Sequence, residues 1–143
     1  MPTINGRACV VNGTPVDKVF SNGRQVYGRN YFSVSSFAAN KYQGQYSDHY
    51  DIQLLPDTKY TISTNLIRND GSADVFVGNK GFTESSIRNG VFPDKPLTVT
   101  TDNTGVLTVG ARDYSLADGK DKIKVELGAV ETAWSSAPED ILK

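Results

Sequence analysis

The sequence predicts an all-β protein in which short antiparallel strands form a sandwich or a barrel. Apolar and polar side chains alternate with a period of two in several short segments, as they do in half-buried strands. Clusters of turn-forming residues separate these segments, for example 56–59, 69–72 and 101–105. No stretch longer than about ten residues has the period of 3.6 that a helix requires. Many short strands joined by polar turns are typical of sandwiches and barrels.

The clearest strand is segment 122–128, KIKVELG. Its aliphatic side chains fall on one face, where they can enter a core, and its charged side chains fall on the other face, where we expect solvent. The aliphatic set is Ile123, Val125 and Leu127, and the charged set is Lys122, Lys124 and Glu126. Further predicted strands, rich in β-branched and aromatic residues, are 60–67, 73–78, 96–101 and 106–111.

The first 29 residues predict a separate N-terminal arm, and residues 30–143 the main module. Asn-Gly occurs at 5–6, 12–13 and 22–23, and this pair favours the positive φ angles of tight hairpins. We therefore predict a small β-meander with strands near 7–11, 15–20 and 24–27, joined to the module at 28–30. Three such strands bury little by themselves, so they must dock on the module or on another chain. The alternative is that they are the first part of one continuous sheet.

Composition excludes several classes of function. The 143 residues suit one domain, and 15 Lys plus Arg balance 16 Asp plus Glu, with no basic run to bind nucleic acid. No apolar stretch approaches the roughly 18 residues of a membrane span, and no secretory leader is visible. The single cysteine, Cys9, lies in an apolar run and has no internal disulfide partner. We expect synthesis in a reducing cytoplasm, without binding to nucleic acid or to membranes.

The stretch 40–51, NKYQGQYSDHYD, combines three tyrosines with the only histidine and two aspartates. Its continuation into IQLL before a proline favours one strand through 42–54 rather than a helix. In such a strand Tyr42, Tyr46, Asp48 and Tyr50 share one face, and His49 lies on the other. The last positions of the strand are expected to face the core, and the first tyrosines to emerge toward solvent.

Two interpretations of this stretch remain open. In the first, the tyrosines cover an edge of the sandwich, which is a structural role. Alternatively they form a carbohydrate platform, since a tyrosine ring stacks on sugar C–H groups while nearby polar side chains bind hydroxyls. The candidate ligand-binding residues are Tyr42, Tyr46, Asp48 and His49.

The sequence offers little support for metal binding or catalysis. One histidine and one cysteine forty residues apart do not make a zinc site, and no calcium loop of the Asp-x-Asp-x-Asp-Gly type is present. The acidic segments 102–105 and 118–121 are better explained as turns. No Gly-x-Ser-x-Gly elbow is available for a hydrolase, and the acids cannot be paired into a glycosidase site from sequence. We expect no enzymatic activity, no cofactor and no metal.

The C-terminal run IKVELGAVETAWSSAPED, 123–140, resembles the closing motif of minor structural proteins from the tails and baseplates of phages of Gram-positive bacteria. The segments DIQLLPDTKYTIS (51–63) and NGRQVYGRNYF (22–32) resemble a strand–turn–strand and an entry segment of the same proteins. Two positions depart from the closing motif: Leu127 replaces a lysine, and Ser136 stands where proline is common. The residues that match the closing motif are Ile123, Lys124, Glu126, Gly128, Thr132, Trp134, Ala137, Pro138, Glu139 and Asp140.

This resemblance implies a jelly-roll-like, carbohydrate-binding-module-like sandwich located in a virion. The leading hypothesis is a non-catalytic tail or baseplate protein that binds saccharide of the host cell wall, contacts other virion proteins and forms a homo-oligomer. The alternative is a purely architectural component that joins tail or neck parts. Ligand residues do not carry over, because the matching positions look structural. Trp134 is expected to pin the exit of the chain against the sandwich, and residues 138–140 to be a solvated final step, with Pro138 ending strand pairing.

Overall fold

The structure, a computed structural model, describes residues 10–11, 14–43, 48–68, 70–79, 89–111 and 122–141. Twelve strands and two short helices are found in these ranges. The strands are β1 Val10–Val11, β2 Thr14–Pro15, β3 Lys18–Ser21, β4 Arg24–Gly28, β5 Tyr42–Gln43, β6 Asp48–Gln53, β7 Lys59–Thr64, β8 Val75–Asn79, β9 Asn89–Val91, β10 Leu97–Thr100, β11 Val106–Ala111 and β12 Ile123–Leu127. The helices are α1 Val34–Asn40 and α2 Pro138–Ile141.

Two antiparallel sheets make the body of the protein, which confirms the predicted all-β sandwich. One sheet has the strand order β10-β7-β12, and the other has the order β5-β6-β11-β8-β9. In the larger sheet β11 lies between β6 and β8, with Val109 opposite Tyr50 on one side and opposite Val77 on the other. The jelly-roll connection of these strands stays a prediction.

One hydrophobic cluster fills the space between the sheets. Ile62 and Val125 enter it from the three-stranded sheet, and Val77 and Val109 enter it from the five-stranded sheet. Helix α1 adds Phe37, which packs against the core next to the end of the larger sheet. The alternating residues of each strand thus bury their apolar face against the opposite sheet, as the period of two predicts.

The N-terminal arm contains two small hairpins. Strands β1 and β2 form one pair, and β3 and β4 form another. Asn22 and Gly23, with φ of 53° and 78°, make the turn between β3 and β4, which confirms the hairpin predicted from Asn-Gly. Tyr27 and Gly28, at the end of β4, are buried, so this end of the arm packs in cis. Residues 1–9, with Cys9 and part of the first predicted strand, lie outside the described residues, and the 29/30 boundary stays a prediction.

Asn30 attaches the entry of the chain to the free edge of β12. Its side-chain amide donates to the carbonyls of Ile123 and Ser135, at 3.0 Å each. Its side-chain oxygen accepts from the amides of Phe32 and Val125, at 2.9 and 3.0 Å. Asn30 is 1% exposed, and all four of its hydrogen-bonding positions are used. A side chain therefore occupies the place where a neighbouring strand would pair with β12.

The charged face of β12 is buried, so its predicted exposure is wrong. Lys124 and Glu126 do lie on the face opposite the core, as the alternation predicts, but both are 0% exposed. The chain reverses at Gly128, where φ is 95°, and the C-terminal segment 128–137 returns across this face. Trp134 lies in this segment and donates from Nε1 to the carbonyl of Ile123, at 3.3 Å. The alternation of a strand defines its two faces but does not show which later segment covers them.

Asp140 caps helix α1, so the prediction that residues 138–140 form a solvated final step is wrong. Its Oδ1 accepts from the hydroxyls of Ser33 and Ser35 at 2.8 and 2.7 Å, and from the amide of Ser35 at 3.0 Å. Its Oδ2 accepts from the amide of Val34 at 2.9 Å. Pro138 is buried and is the first residue of α2, a position that tolerates its missing N–H. The exit of the chain is thereby fixed to its entry.

Asn30→Ala is expected to destabilise the protein by about 3 kcal/mol. The change leaves the amides of Phe32 and Val125 buried without their acceptor, and each such group costs about 1–3 kcal/mol. Urea denaturation measures the difference, and Asn103→Ala, in an exposed turn, is the control expected to stay within about 0.5 kcal/mol of wild type. Equal losses for the two variants would contradict the role of Asn30.

Asp140→Asn is expected to lower stability at pH 7 by about 1–2 kcal/mol, because a cap and a charge at a helix N-terminus are weakened. Burial alone would raise the pKa of Asp140, but hydrogen bonds from Ser35, Val34 and Ser33 outweigh it and hold the pKa below its ordinary value of 3.8. The charge therefore stabilises the fold fully above that value, and its contribution is lost as the pH falls through the lower, folded-state pKa. Thermal unfolding of both proteins from pH 7 to pH 2.5 should show the gap closing in acid; a constant gap would refute this account.

Candidate functional site

The predicted site residues lie on a hairpin rather than on one continuous strand. β5 pairs antiparallel with the start of β6, with Tyr42 opposite His49 and Gln43 opposite Asp48. The prediction that Tyr42 shares a face with Asp48 is therefore wrong, because the chain reverses its direction between residues 43 and 48. Tyr42 and His49 share the outer face of the sheet, and Asp48 points the other way. Tyr46 lies outside the described residues.

Tyr42 is exposed on β5, with 39% of its surface accessible. Its hydroxyl donates to Oδ1 of Asp51 at 2.8 Å, and the same oxygen accepts from the hydroxyl of Thr108 at 2.7 Å. Partial burial, the hydrogen bond to Asp51 and the charge of that carboxylate raise the pKa of Tyr42 to about 12. The ring is thus held in one orientation and stays neutral over the physiological range.

His49 and Asp48 are less accessible than Tyr42. His49 is 3% exposed, and its ring meets the ring of Tyr42 edge to face, with centroids 5.6 Å apart. The carboxylate of Asp48 lies 3.3 Å from the ammonium of Lys41. The structure therefore brings Tyr42 and His49 together without making an open shelf of all the predicted residues, and binding of saccharide by these residues stays a prediction.

A groove lies next to this hairpin, along the part of β6 that β5 does not cover. β5 pairs only with the first two residues of β6, and residues 50–53 form one side of the groove. The other side is formed by the last residue of the arm, Arg29, and by Tyr31, Ser33 and Ser36 in the segment that follows it. Its volume is about 330 Å³, within the roughly 300–1,000 Å³ of small-molecule sites. We call it the edge groove.

Two half-buried tyrosine rings give the edge groove its apolar surface. Tyr50 is fixed by edge-to-face contacts with Phe32 and Phe37, with ring centroids 5.8 and 5.9 Å away. Tyr31 meets Tyr60 in the same way, at 5.9 Å. Both rings are held by the core from below, so their orientation does not depend on a ligand.

Polar groups surround these rings. The guanidinium of Arg29 lies 5.1 Å above the ring of Tyr31 and 3.7 Å from the carboxylate of Asp17. The hydroxyl of Tyr31 donates to the same carboxylate at 3.1 Å. Burial, and to a lesser extent the negative charge of Asp17, raises the pKa of Tyr31 far above its ordinary value. Asp51 and Gln53 are exposed on the opposite side. Aromatic faces with a few fixed donors and acceptors are suited to a polyhydroxylated ligand.

The sequence indicated half of the edge groove. Asp51 and Tyr50 belong to stretch 40–51, which the sequence predicts as a candidate site, whereas Arg29 belongs to the predicted joint at 28–30 and Tyr31 and Ser36 follow it. About twenty residues separate the two sides, and nothing in the sequence shows that the four hydrogen bonds of Asn30 bring them together. The signal that was available is the aromatic pair Tyr31–Phe32 directly after the joint.

The buried pair Lys124 and Glu126 has the perturbed pKa values that often mark catalytic residues. Burial lowers the pKa of Lys124 and raises the pKa of Glu126. The opposite charge of the partner, 3.8 Å away, partly offsets each of these two shifts. Thr132 bonds to both: its hydroxyl accepts from Lys124 at 2.8 Å and donates to Glu126 at 2.6 Å. The amide of Gly28 donates to the same hydroxyl at 3.1 Å. With all its partners inside the fold and no opening to solvent, this pair is structural.

Comparison with known proteins adds no relative: no protein-family model, curated protein or solved structure matches the chain. The likeness to phage tail proteins therefore rests on the motif residues of the sequence. Within the described ranges, no three His, Cys, Asp or Glu side chains lie close enough together to hold a metal ion. In the same part of the chain, no helix has the length and apolar character that crossing a bilayer demands.

Lys124→Met is expected to destabilise the protein by about 3–5 kcal/mol, because it leaves the carboxylate of Glu126 buried without its partner. The double variant Lys124→Met/Glu126→Leu should cost less than Lys124→Met alone, since it removes both charges. Urea denaturation gives the two values, with Lys59→Met, at an exposed position at the start of β7, as the control. A double variant at least as unstable as Lys124→Met alone would contradict the pairing of the two charges.

Proposed function

We propose that this protein is a non-catalytic virion component of a phage tail or baseplate whose β-sandwich binds saccharide of the host cell wall. The observation that carries the binding role is the edge groove, where Tyr31 and Tyr50 present fixed rings between polar side chains. The virion location is supported by the resemblance of 123–140 to the closing motif of tail proteins.

The geometry fits recognition better than chemistry. The groove places hydroxyls, an amide and charged groups around two aromatic rings, which suits a sugar ring with its apolar C–H face and its rim of hydroxyls. Contacts of this kind are weak one at a time. Several copies of the domain on one tail would make the overall attachment strong through avidity.

An architectural role is the second candidate, and the arm favours it. Phe20 on β3 is 60% exposed and Val26 on β4 is 39% exposed, on a two-stranded hairpin that buries little by itself. Such a hairpin suits contact with a neighbouring virion protein. The two roles are compatible, since Phe20 and Val26 do not line the edge groove.

Ser36→Leu is expected to weaken binding to Gram-positive cell walls at least tenfold, because the larger side chain fills the edge groove from helix α1. Leucine favours helix more than serine does, so the fold should be preserved. Sedimentation with purified walls, and calorimetry with soluble wall polysaccharide, measure the binding. Ala38→Leu, exposed on the same helix, is the matched control.

Wild-type protein that binds no wall preparation would refute the saccharide role. If Phe20→Ser then disrupts self-association or binding to a tail protein, the architectural role takes its place. Equal binding by Ser36→Leu and Ala38→Leu would instead place the sugar outside the edge groove.

A further inference from the structure

A second groove lies on the outer side of the three-stranded sheet, beside Trp134. Residues 63–65, at the end of β7, and Lys122 form one side of it, and Pro93 and residues 131–134 form the rest. Its volume is about 200 Å³, and it shares no lining residue with the edge groove. The sandwich therefore carries two separate concave surfaces, of which this one, the Trp134 groove, is smaller.

The indole of Trp134 is held in a fixed orientation at the side of this groove. Its Nε1 donates to the carbonyl of Ile123 at 3.3 Å, so one edge of the ring is tied to β12. The ring is half-buried, and the ammonium of Lys122 lies 5.0 Å from its centre. A cation on an aromatic face at the protein surface is a weak contact. The flexible lysine can therefore leave the ring when another group stacks there.

The polar wall of the groove is also held in place. The backbone amide of Lys122 donates to Oδ1 of Asn65 at 2.7 Å, and the hydroxyl of Thr64 donates to the carbonyl of Lys122 at 2.8 Å. Ser63 is half-buried on the adjoining strand, and Glu131 is exposed on the opposite side. A hydroxyl, an amide, an ammonium and a carboxylate thus surround one aromatic ring, and the adjoining backbone is held by hydrogen bonds.

We propose that the Trp134 groove is a second saccharide subsite, which holds a single sugar ring. The C–H face of the sugar stacks on the indole in place of the Lys122 ammonium, and its hydroxyls bind Ser63, Asn65 and Glu131. The volume is below the roughly 300 Å³ at which most small-molecule sites begin, which limits the ligand to one ring. This inference rests on the proposed saccharide role, and it adds that one domain holds a wall polysaccharide at two places.

Two weak subsites on one domain change the strength of attachment. Once one subsite is occupied by a polysaccharide chain, the other meets the same polymer at high effective concentration. A polymer would then bind more tightly than either subsite does alone, whereas a monosaccharide would gain nothing. This difference between polymer and monomer is the measurable signature of the second subsite.

The chain contains one tryptophan, so its fluorescence reports on this groove alone. Soluble polysaccharide from Gram-positive walls, and glucose and N-acetylglucosamine as single rings, are titrated into the protein. We expect a saturable change in emission and protection of Trp134 from acrylamide quenching. Ala133→Gln, which narrows the groove, should reduce both changes at least fivefold, while Val130→Gln, exposed in the same segment, should leave them intact.

Calorimetry on the same samples separates this inference from the proposed function. If heat of binding is measured while the emission of Trp134 stays constant, the second subsite does not exist and the saccharide role stands. If Ser36→Leu in the edge groove abolishes the emission change that the single sugar rings produce, to which no coupling through a polymer contributes, the signal is transmitted from that groove and the second subsite is likewise refuted. If neither heat nor emission changes with any probe, the saccharide role itself fails. An emission change that survives Ser36→Leu and is lost in Ala133→Gln establishes the subsite.

Discussion

The side-chain amide of Asn30 closes the edge of β12, and the positions of the entry and exit segments depend on this contact. An uncovered edge strand offers its amides and carbonyls to any other strand, which promotes aggregation. Here Asn30 takes both an amide and a carbonyl of β12, and the backbone amide of Tyr31 donates to the carbonyl of Val125 at 2.7 Å. Because Arg29 and Tyr31 flank Asn30, the same contact places them opposite β6. The edge of the three-stranded sheet thus positions one wall of the edge groove, which lies beside β6 of the five-stranded sheet.

The outer face of β12 shows how a polar cluster can specify the path of a chain. The hydroxyl of Thr132 has one proton to donate and two lone pairs, and the structure uses all three with Glu126, Lys124 and Gly28. A Cβ at position 28 would collide with the carboxylate of Glu126, so glycine is required there by the close approach of β4. An apolar interface would tolerate a shifted register, whereas these directional bonds fit in one arrangement.

The strands of the sandwich could be predicted from the sequence because alternation is a local property. The strands near 60–67 and 122–128 follow from apolar residues at every second position, and the strand near 106–111 follows from its β-branched residues. The turn at Asn22-Gly23 follows from its backbone preference. The sequence does not predict helix α1, because a helix of seven residues makes only about two turns and its period of 3.6 cannot be recognised over so short a segment. Its one local signal is Ser33, whose hydroxyl accepts from the amide of Ser36.

The candidate site was harder to predict because it depends on contacts between distant residues. The tyrosines of stretch 40–51 predict a site on one strand, but the chain changes direction between residues 43 and 48. Tyr42 and Asp48 therefore lie on opposite faces of the sheet. The covering of Lys124 by segment 128–137 likewise depends on a return of the chain that no periodicity encodes. Local patterns assign strands and faces, and tertiary contacts decide which faces become grooves and which become interior.

Asp140 is hydrogen-bonded to Ser33 and Ser35, so two segments more than a hundred positions apart in the sequence are held side by side. The stretch between residues 33 and 140 is thereby closed into a loop by side-chain hydrogen bonds. A pulling force applied between these two positions would meet the hydrogen bonds of Asp140 before it reached the strands.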